Sequence, residues 1–209
     1  MLWLKDNMDL IAPLLFALIL TLVVYIVMGL TPTLVIGGAA FCGLLMYLKT
    51  SFRAHFDTMK VIVPYLMSVV FFIIHVYEEY VFGFEKVVAA LNGHPFTQFK
   101  LLTMAGFLAP AAWIIGAILI IKRWALGYYF LAFFFVAMTV AELTHFIFPF
   151  ILYGHFTYTA GVYTAALPLI PAWYGLYVTI QETRKIRQAK REDKERQALA
   201  SEVQPQPTQ

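Results

Sequence analysis

The chain has 209 residues, of which 61% are hydrophobic and 17% aromatic, and its mean hydropathy is +0.76. Charged residues make up only 13%, and the formal net charge is +3. This composition excludes an ordinary soluble domain, and the absence of a basic patch excludes a nucleic-acid partner. We therefore expect a multi-pass integral membrane protein, in a cytoplasmic membrane of the bacterial type.

Apolar segments in chain order predict six transmembrane helices. A helix needs roughly 20 apolar residues to cross the hydrocarbon core of a bilayer. Six segments meet this requirement, at residues 10–30, 32–48, 61–84, 99–121, 125–153 and 158–180. The first is longer than the apolar region of a typical signal peptide, so we interpret it as a retained span. The predicted fold is an all-α membrane bundle of six helices.

Basic residues predict the orientation of these helices. Lysine and arginine concentrate on the cytoplasmic side of membrane proteins. With six spans both termini lie on one side, and all but two of the 15 lysines and arginines, Lys86 and Lys100, fall there. Both termini should therefore be cytoplasmic. Residues 1–180 form the predicted membrane domain, and residues 181–209 form a charged cytoplasmic tail that is helical at first and then disordered.

Ionisable side chains interrupt two of the apolar segments. The third segment contains His75, Glu78 and Glu79, and the fifth contains Glu142 and His145. Such residues are costly at membrane depth and mark functional sites. At about 100° per residue, the two glutamates of the third helix flank its histidine on one face. Helix rise places the clusters at matching depth near the outer leaflet, which predicts one shared site.

Three glutamates in one pocket repel each other and require a neutralising partner. A divalent cation is such a partner, and histidine with glutamate suits zinc or iron. The predicted metal ligands are His75, Glu78, Glu142, His145 and, in the outer loop, His155. Glu79 is the predicted catalytic base, acting on water activated by the ion. Tyr158 and Thr164 are further site candidates.

These residues favour a metal-dependent, hydrolase-like membrane enzyme that acts on a lipid-like or amphipathic substrate. A metal-free acid–base isomerase or cyclase, acting on an isoprenoid-like substrate, is an alternative. A cation or proton-coupled transporter is a second alternative, although the cytoplasmic halves of the predicted spans contain no acidic residue. A purely structural role is also open, in which the polar side chains join helices by hydrogen bonds.

The string His75-Val-Tyr-Glu78-Glu79 matches the motif that names the HXXEE family of integral membrane proteins. Residues 158–177, YTAGVYTAALPLIPAWYGLY, also resemble the closing segment of that family, in which a glycine precedes a Thr-Ala pair. The resemblance covers about residues 60–180 and implies a site at His75, Glu78, Glu79 and His145, with Thr164 as a further member. Family members often carry asparagine where this chain has Glu142, which implies that Glu142 tunes the site.

Overall fold

A computed structural model of the protein describes residues 2–52, 54, 56–93 and 95–203, and this part of the chain contains helices but no strands. The all-α prediction is therefore confirmed. The helices are α1 (Leu2–Met28), α2 (Leu30–Lys49), α3 (Met59–Phe82), α4 (Phe84–Asn92), α5 (Gln98–Ile121), α6 (Ala125–Tyr153) and α7 (Ala166–Val203). Both α2 and α5 include a short π-helical segment, Thr33–Gly37 and Leu102–Leu108 respectively.

Five of these helices are long and apolar enough to cross a membrane: α1, α2, α3, α5 and α6. They correspond to the first five predicted segments, and they make this a multi-pass membrane protein by length and composition. In α7 the apolar part is shorter and mixed with proline, tyrosine and tryptophan before the charged stretch that begins at Glu182.

Helix α6 is the centre of the bundle. It packs on α1, α2, α5 and α7, and residues 128–135 are buried on every side. The glycine-rich helix α2 approaches α6 closely. A Cβ atom on Gly43 would lie only 2.5 Å from the Cα atom of Phe133. This close contact fixes α6, and with it the polar residues on its outer half.

Helix α3 is held mainly by α5 and α7. The Tyr65 hydroxyl donates to the Trp113 carbonyl at 2.9 Å, and the Ser68 hydroxyl donates to the Pro168 carbonyl. Helix α3 makes few backbone contacts with α6. Long side chains from the two helices therefore meet between them.

Charged groups gather at the end of the bundle where α3 and α6 begin. Lys60 pairs with Glu182 at 2.8 Å, and Arg123 pairs with Asp57 at 3.0 Å. These pairs join the start of α3, the α5–α6 turn and α7. The opposite end carries α4 and the loop of residues 154–165, which we call the outer loop.

The structure differs from the predicted segments at two places. The third helix ends at Phe82 because Gly83 has a left-handed φ of 77°, and the unpredicted helix α4 follows it. The sixth segment was predicted to start at residue 158, yet residues 154–165 form a loop and α7 starts only at Ala166. Helix α7 then continues to Val203, so the predicted tail is helical far beyond residue 181. Residues 204–209, part of the segment predicted to be disordered, lie outside the described residues.

Candidate metal centre

The two polar clusters predicted from the sequence meet between α3 and α6. His75 and Glu79 extend from α3, and Glu142 and His145 extend from α6. Each of these four residues is at most 5% exposed. The apolar surroundings make any uncompensated charge or unpaired polar atom here costly.

Three ligand atoms converge in this cluster. The Nε2 atoms of His75 and His145 are 3.1 Å apart. Glu79 Oε1 lies 3.6 Å from the first nitrogen and 3.4 Å from the second. With metal–ligand bonds of about 2.0–2.1 Å, tetrahedral geometry puts neighbouring ligand atoms about 3.3–3.4 Å apart. The distances between the three atoms are therefore close to the ligand–ligand distances of a tetrahedral metal site.

Glu78 is buried but faces the outer loop, away from this group. Its carboxylate accepts hydrogen bonds from the Tyr158 hydroxyl at 2.9 Å, from the backbone N–H groups of Tyr163 and Thr164 at 3.3 and 2.8 Å, and from the Thr164 hydroxyl. Four donors satisfy an ionised carboxylate, which only accepts. Glu78 therefore fastens the outer loop to α3.

The hydrogen bond at Nδ1 of each imidazole indicates which ring nitrogen carries a proton. His145 Nδ1 is 3.1 Å from the Ala160 carbonyl oxygen, which only accepts, so this nitrogen donates. His75 Nδ1 is 3.0 Å from Thr164 Oγ1. The Thr164 hydroxyl gives its own proton to Glu78, so its oxygen accepts from His75 Nδ1. Both neutral imidazoles therefore carry the proton on Nδ1 and a lone pair on Nε2.

In these neutral forms, three acceptors face one another without a donor between them. Two Nε2 lone pairs and a Glu79 carboxylate oxygen repel each other in an apolar interior, where electrostatic interactions are poorly screened. A cation at their centre removes that repulsion. Metal-bound histidines characteristically donate their other ring N–H to a carbonyl or a similar partner, which His145 and His75 both do.

Glu142 adds a further negative group beside the three acceptors. Its Oε2 atom is 3.0 Å from His75 Nε2, yet this buried oxygen has no hydrogen-bond partner. The close approach is thus an ion-pair distance without hydrogen-bond geometry. Glu142 is not one of the three residues whose ligand atoms lie together within 4.8 Å. Its oxygen needs a proton, a water or a cation.

The structure therefore places the predicted site residues in different parts of the site and its surroundings. His75 and His145 lie together in one cluster. Glu79, predicted as the base, lies beside their Nε2 atoms, and Glu78, predicted as a ligand, faces Tyr158 and Thr164. Adjacent residues of a helix diverge by about 100°, so only one of the two glutamates reaches between the imidazoles. His155 was predicted as a ligand, but it is exposed in the outer loop and lies outside the grouped residues.

The outer loop supplies features that residue types alone did not indicate. The Ala160 carbonyl has no sequence signal, and Gly161 was marked only by the family resemblance. Gly161 has a φ of 94°, and a Cβ atom there would lie 2.4 Å from His145 Cε1 and 2.9 Å from His75 Cε1. The loop thus packs directly on both imidazoles.

An apolar cavity of about 410 Å³ adjoins the site. His75, Glu79, Glu142 and His145 all line it, and hydrophobic side chains of α1, α2, α5 and α6 form most of the remaining wall. Its volume lies in the range of small-molecule sites, roughly 300–1,000 Å³. The polar group therefore faces a chamber suited to a hydrophobic molecule.

Comparison with protein-family models, with curated proteins and with solved structures finds no match to this chain. Membership of the HXXEE family therefore stays a prediction.

Replacing Gly161 with alanine should destabilise the protein more than replacing Gly154. Both glycines have a left-handed φ, 94° and 75°, so both changes carry similar backbone strain of about 1–2 kcal/mol. A methyl group at Gly154 meets nothing within 4 Å, whereas at Gly161 it meets the two imidazoles. The extra cost of overpacking is about 1–3 kcal/mol.

Thermal unfolding midpoints in detergent measure this difference. A lower midpoint for Gly161→Ala than for Gly154→Ala is expected. Equal midpoints would show that the outer loop does not pack on His75 and His145.

Proposed function

We propose that this protein is a metal-dependent, hydrolase-like membrane enzyme that acts on a lipid-like or amphipathic substrate near the outer leaflet. His75, Glu79 and His145 hold a divalent ion, zinc or iron. The observation that carries this proposal is the pair of Nε2 atoms 3.1 Å apart, each on an imidazole whose Nδ1 donates elsewhere. Two histidines and a glutamate with an open position form a common catalytic zinc ligand set.

Such an ion would polarise a substrate carbonyl and activate water at neutral pH. Glu142 is the proposed base, because its unpartnered Oε2 lies beside the ligand atoms. It takes a proton from the water whose oxygen bonds to the carbonyl carbon of an ester. The ester C–O bond breaks, and Glu142 returns the proton to the departing alcohol. Two carboxylates beside one divalent ion give no net charge, which lowers the cost of burial.

Glu78, Thr164 and Tyr158 act as positioning residues in this proposal. Tyr158 and Thr164 both donate to Glu78, and Thr164 accepts from His75. This chain of hydrogen bonds fixes the tautomer and the ring orientation of His75. Loss of such an outer partner typically lowers metal affinity about 10–100-fold.

A second candidate function is a metal-free isomerase or cyclase on an isoprenoid-like substrate. The observation in its favour is again the buried Glu142 Oε2, in a residue that lines the apolar cavity. A proton between the two imidazoles would replace the metal. A protonated Glu142 would then donate to an alkene or epoxide held in the cavity.

We also propose that the apolar part of α7 forms a sixth span and that both termini are cytoplasmic. The bias of lysine and arginine supports this orientation. The ion pair between Lys60 and Glu182 supports it further, because it joins α7 to the basic end of the bundle.

Metal content and turnover of variants test the proposed enzyme. Protein reconstituted with zinc or iron should hold about one ion per chain, which His75→Ala, His145→Ala and Glu79→Gln should lose. Glu142→Gln should keep the metal and lose hydrolysis of a medium-chain chromogenic ester. Glu182→Gln, far from the site at the charged end of the bundle, is the matched control and should change neither.

Three outcomes would contradict the assignment. Metal absent after loading with zinc, iron and manganese would remove the metal-dependent function. Metal retained by Glu79→Gln but lost by Glu78→Gln would restore the roles predicted from the sequence. Full turnover by Glu142→Gln would exclude it as the base.

Topology is tested with reporter fusions. A reporter after Gln209 should read as cytoplasmic, and the same reporter inserted at Gly93, between α4 and α5, should read as external. The opposite pair of readings would invert the orientation, and equal readings would show that α5, α6 and α7 do not together make three crossings.

A further inference from the structure

The cavity beside the metal centre separates α1 from α5. Side chains of both helices line it, including Val24 on α1 and Ala105 on α5. Helix α1 packs on α2 and α6, but it makes few contacts with α5. The space between α1 and α5 is therefore occupied by the cavity.

The outer end of this space is covered by α4 and its neighbours. Asn92, the last residue of α4, donates to the Met28 carbonyl at 2.8 Å and accepts from the Thr31 N–H at 2.8 Å. Lys100 at the start of α5 donates to the Val27 carbonyl of α1 at 3.3 Å. These bonds tie α4 and α5 to the turn between α1 and α2, above the cavity.

The inner end is filled by aromatic rings. Phe16 of α1 packs on Phe130 with ring centroids 4.7 Å apart, and Trp113 of α5 packs on Phe133 at 5.1 Å. Aromatic rings from α1, α5 and α6 therefore close the inner end of the cavity.

The side of the cavity reaches the lipid-facing surface. Val23 on α1 is 42% exposed, and Leu108 on α5 is 47% exposed. Both also line the cavity, and the other described lining residues are less exposed. Val23 and Leu108 are therefore the described lining residues through which the cavity is exposed at the surface of the bundle.

The cavity wall selects an uncharged head group. Its described lining residues include no lysine or arginine, and its acidic residues are Glu79 and Glu142. A phosphate would therefore enter an apolar chamber without a cationic partner, which is costly. Two carboxylates beside one divalent ion leave no excess positive charge to attract it.

The cavity volume selects a single chain. At roughly 30 Å³ for a group the size of a water molecule, 410 Å³ holds about 14 such groups. One acyl chain fits this space, whereas a diacyl phospholipid with its head at His75 and Glu142 would bring two chains into the same volume.

We propose that a single-chain lipid with an uncharged head, such as a monoacylglycerol, enters laterally from the membrane between Val23 and Leu108 and places its head at His75 and Glu142. The reaction of that head depends on the proposed function. The binding of the chain does not, because the chain contacts only apolar side chains.

Tryptophan quenching tests this binding directly. Trp113 lines the cavity and is 6% exposed, so a brominated chain inside the cavity lies close to it and quenches it saturably. The background carries Trp3→Phe, Trp124→Phe and Trp173→Phe. The probes are a monoacylglycerol with a dibrominated chain, its phosphate-headed counterpart, and a dibrominated diacyl phosphatidylcholine, each added to protein in detergent.

The neutral single-chain probe should quench Trp113 saturably. The phosphate-headed probe should bind about tenfold more weakly, since its charge lacks a partner. The diacyl probe should not quench saturably. Equal binding of the two single-chain probes would overturn the head-group selection, and saturable quenching by the diacyl probe would overturn the single-chain selection.

Variants locate the binding site. Ala105→Phe fills the cavity and should abolish saturable quenching, whereas Ala90→Phe, exposed on α4, is the matched control and should leave it unchanged. Met104→Ala enlarges the cavity and should shift the best-bound chain to a longer one, a result that misfolding does not produce. Unchanged quenching in Ala105→Phe, or an unchanged chain-length preference in Met104→Ala, would overturn the proposal.

The same titration with a chelator separates this proposal from the enzyme function. Quenching by the neutral probe should persist without metal. Absence of metal binding with intact quenching would remove only the proposed enzyme, whereas absence of quenching in metal-loaded protein would remove only the lateral lipid site.

Discussion

The Nε2 atoms of two buried imidazoles face each other 3.1 Å apart, and the rest of the site depends on this contact. Each nitrogen is aimed by a hydrogen bond on the opposite side of its ring, from His75 to Thr164 and from His145 to the Ala160 carbonyl. Both partners belong to the outer loop, which Glu78 holds on α3. The loop therefore determines which nitrogens are available to a cation, while the helices determine only where the rings are.

The apolar packing that suits this chain to a membrane also strengthens electrostatic interactions within the His/Glu cluster. Residues 128–135 of α6 are buried on every side, and this packing anchors the helix that carries Glu142 and His145. Low polarity around these groups weakens screening and strengthens their attraction to a divalent ion. The same apolar walls form the cavity, so the proposed lipid chain and the proposed ion would share one environment.

The helices and the two histidines could be predicted from the sequence because both follow local rules. Long apolar runs identify spans, and a buried histidine in such a run is costly enough to mark a site. The choice between Glu78 and Glu79 could not be predicted, since both flank His75 and the rotation of α3 is set by distant contacts such as Ser68 with Pro168. The loop before Ala166 was also missed. Its composition resembles a span, but Gly161 and the N–H bonds to Glu78 keep it non-helical.

X-ray absorption at the zinc edge tests the central claim most directly. Protein loaded with one zinc ion per chain should show two imidazole ligands, with nearest nitrogen and oxygen atoms at about 2.0–2.1 Å. The His145→Ala protein should bind no stoichiometric zinc and give no such spectrum, whereas the imidazole scattering should persist in a His155→Ala control. A spectrum with oxygen ligands alone, or one unchanged by His145→Ala, would contradict a metal centre built on the facing imidazoles.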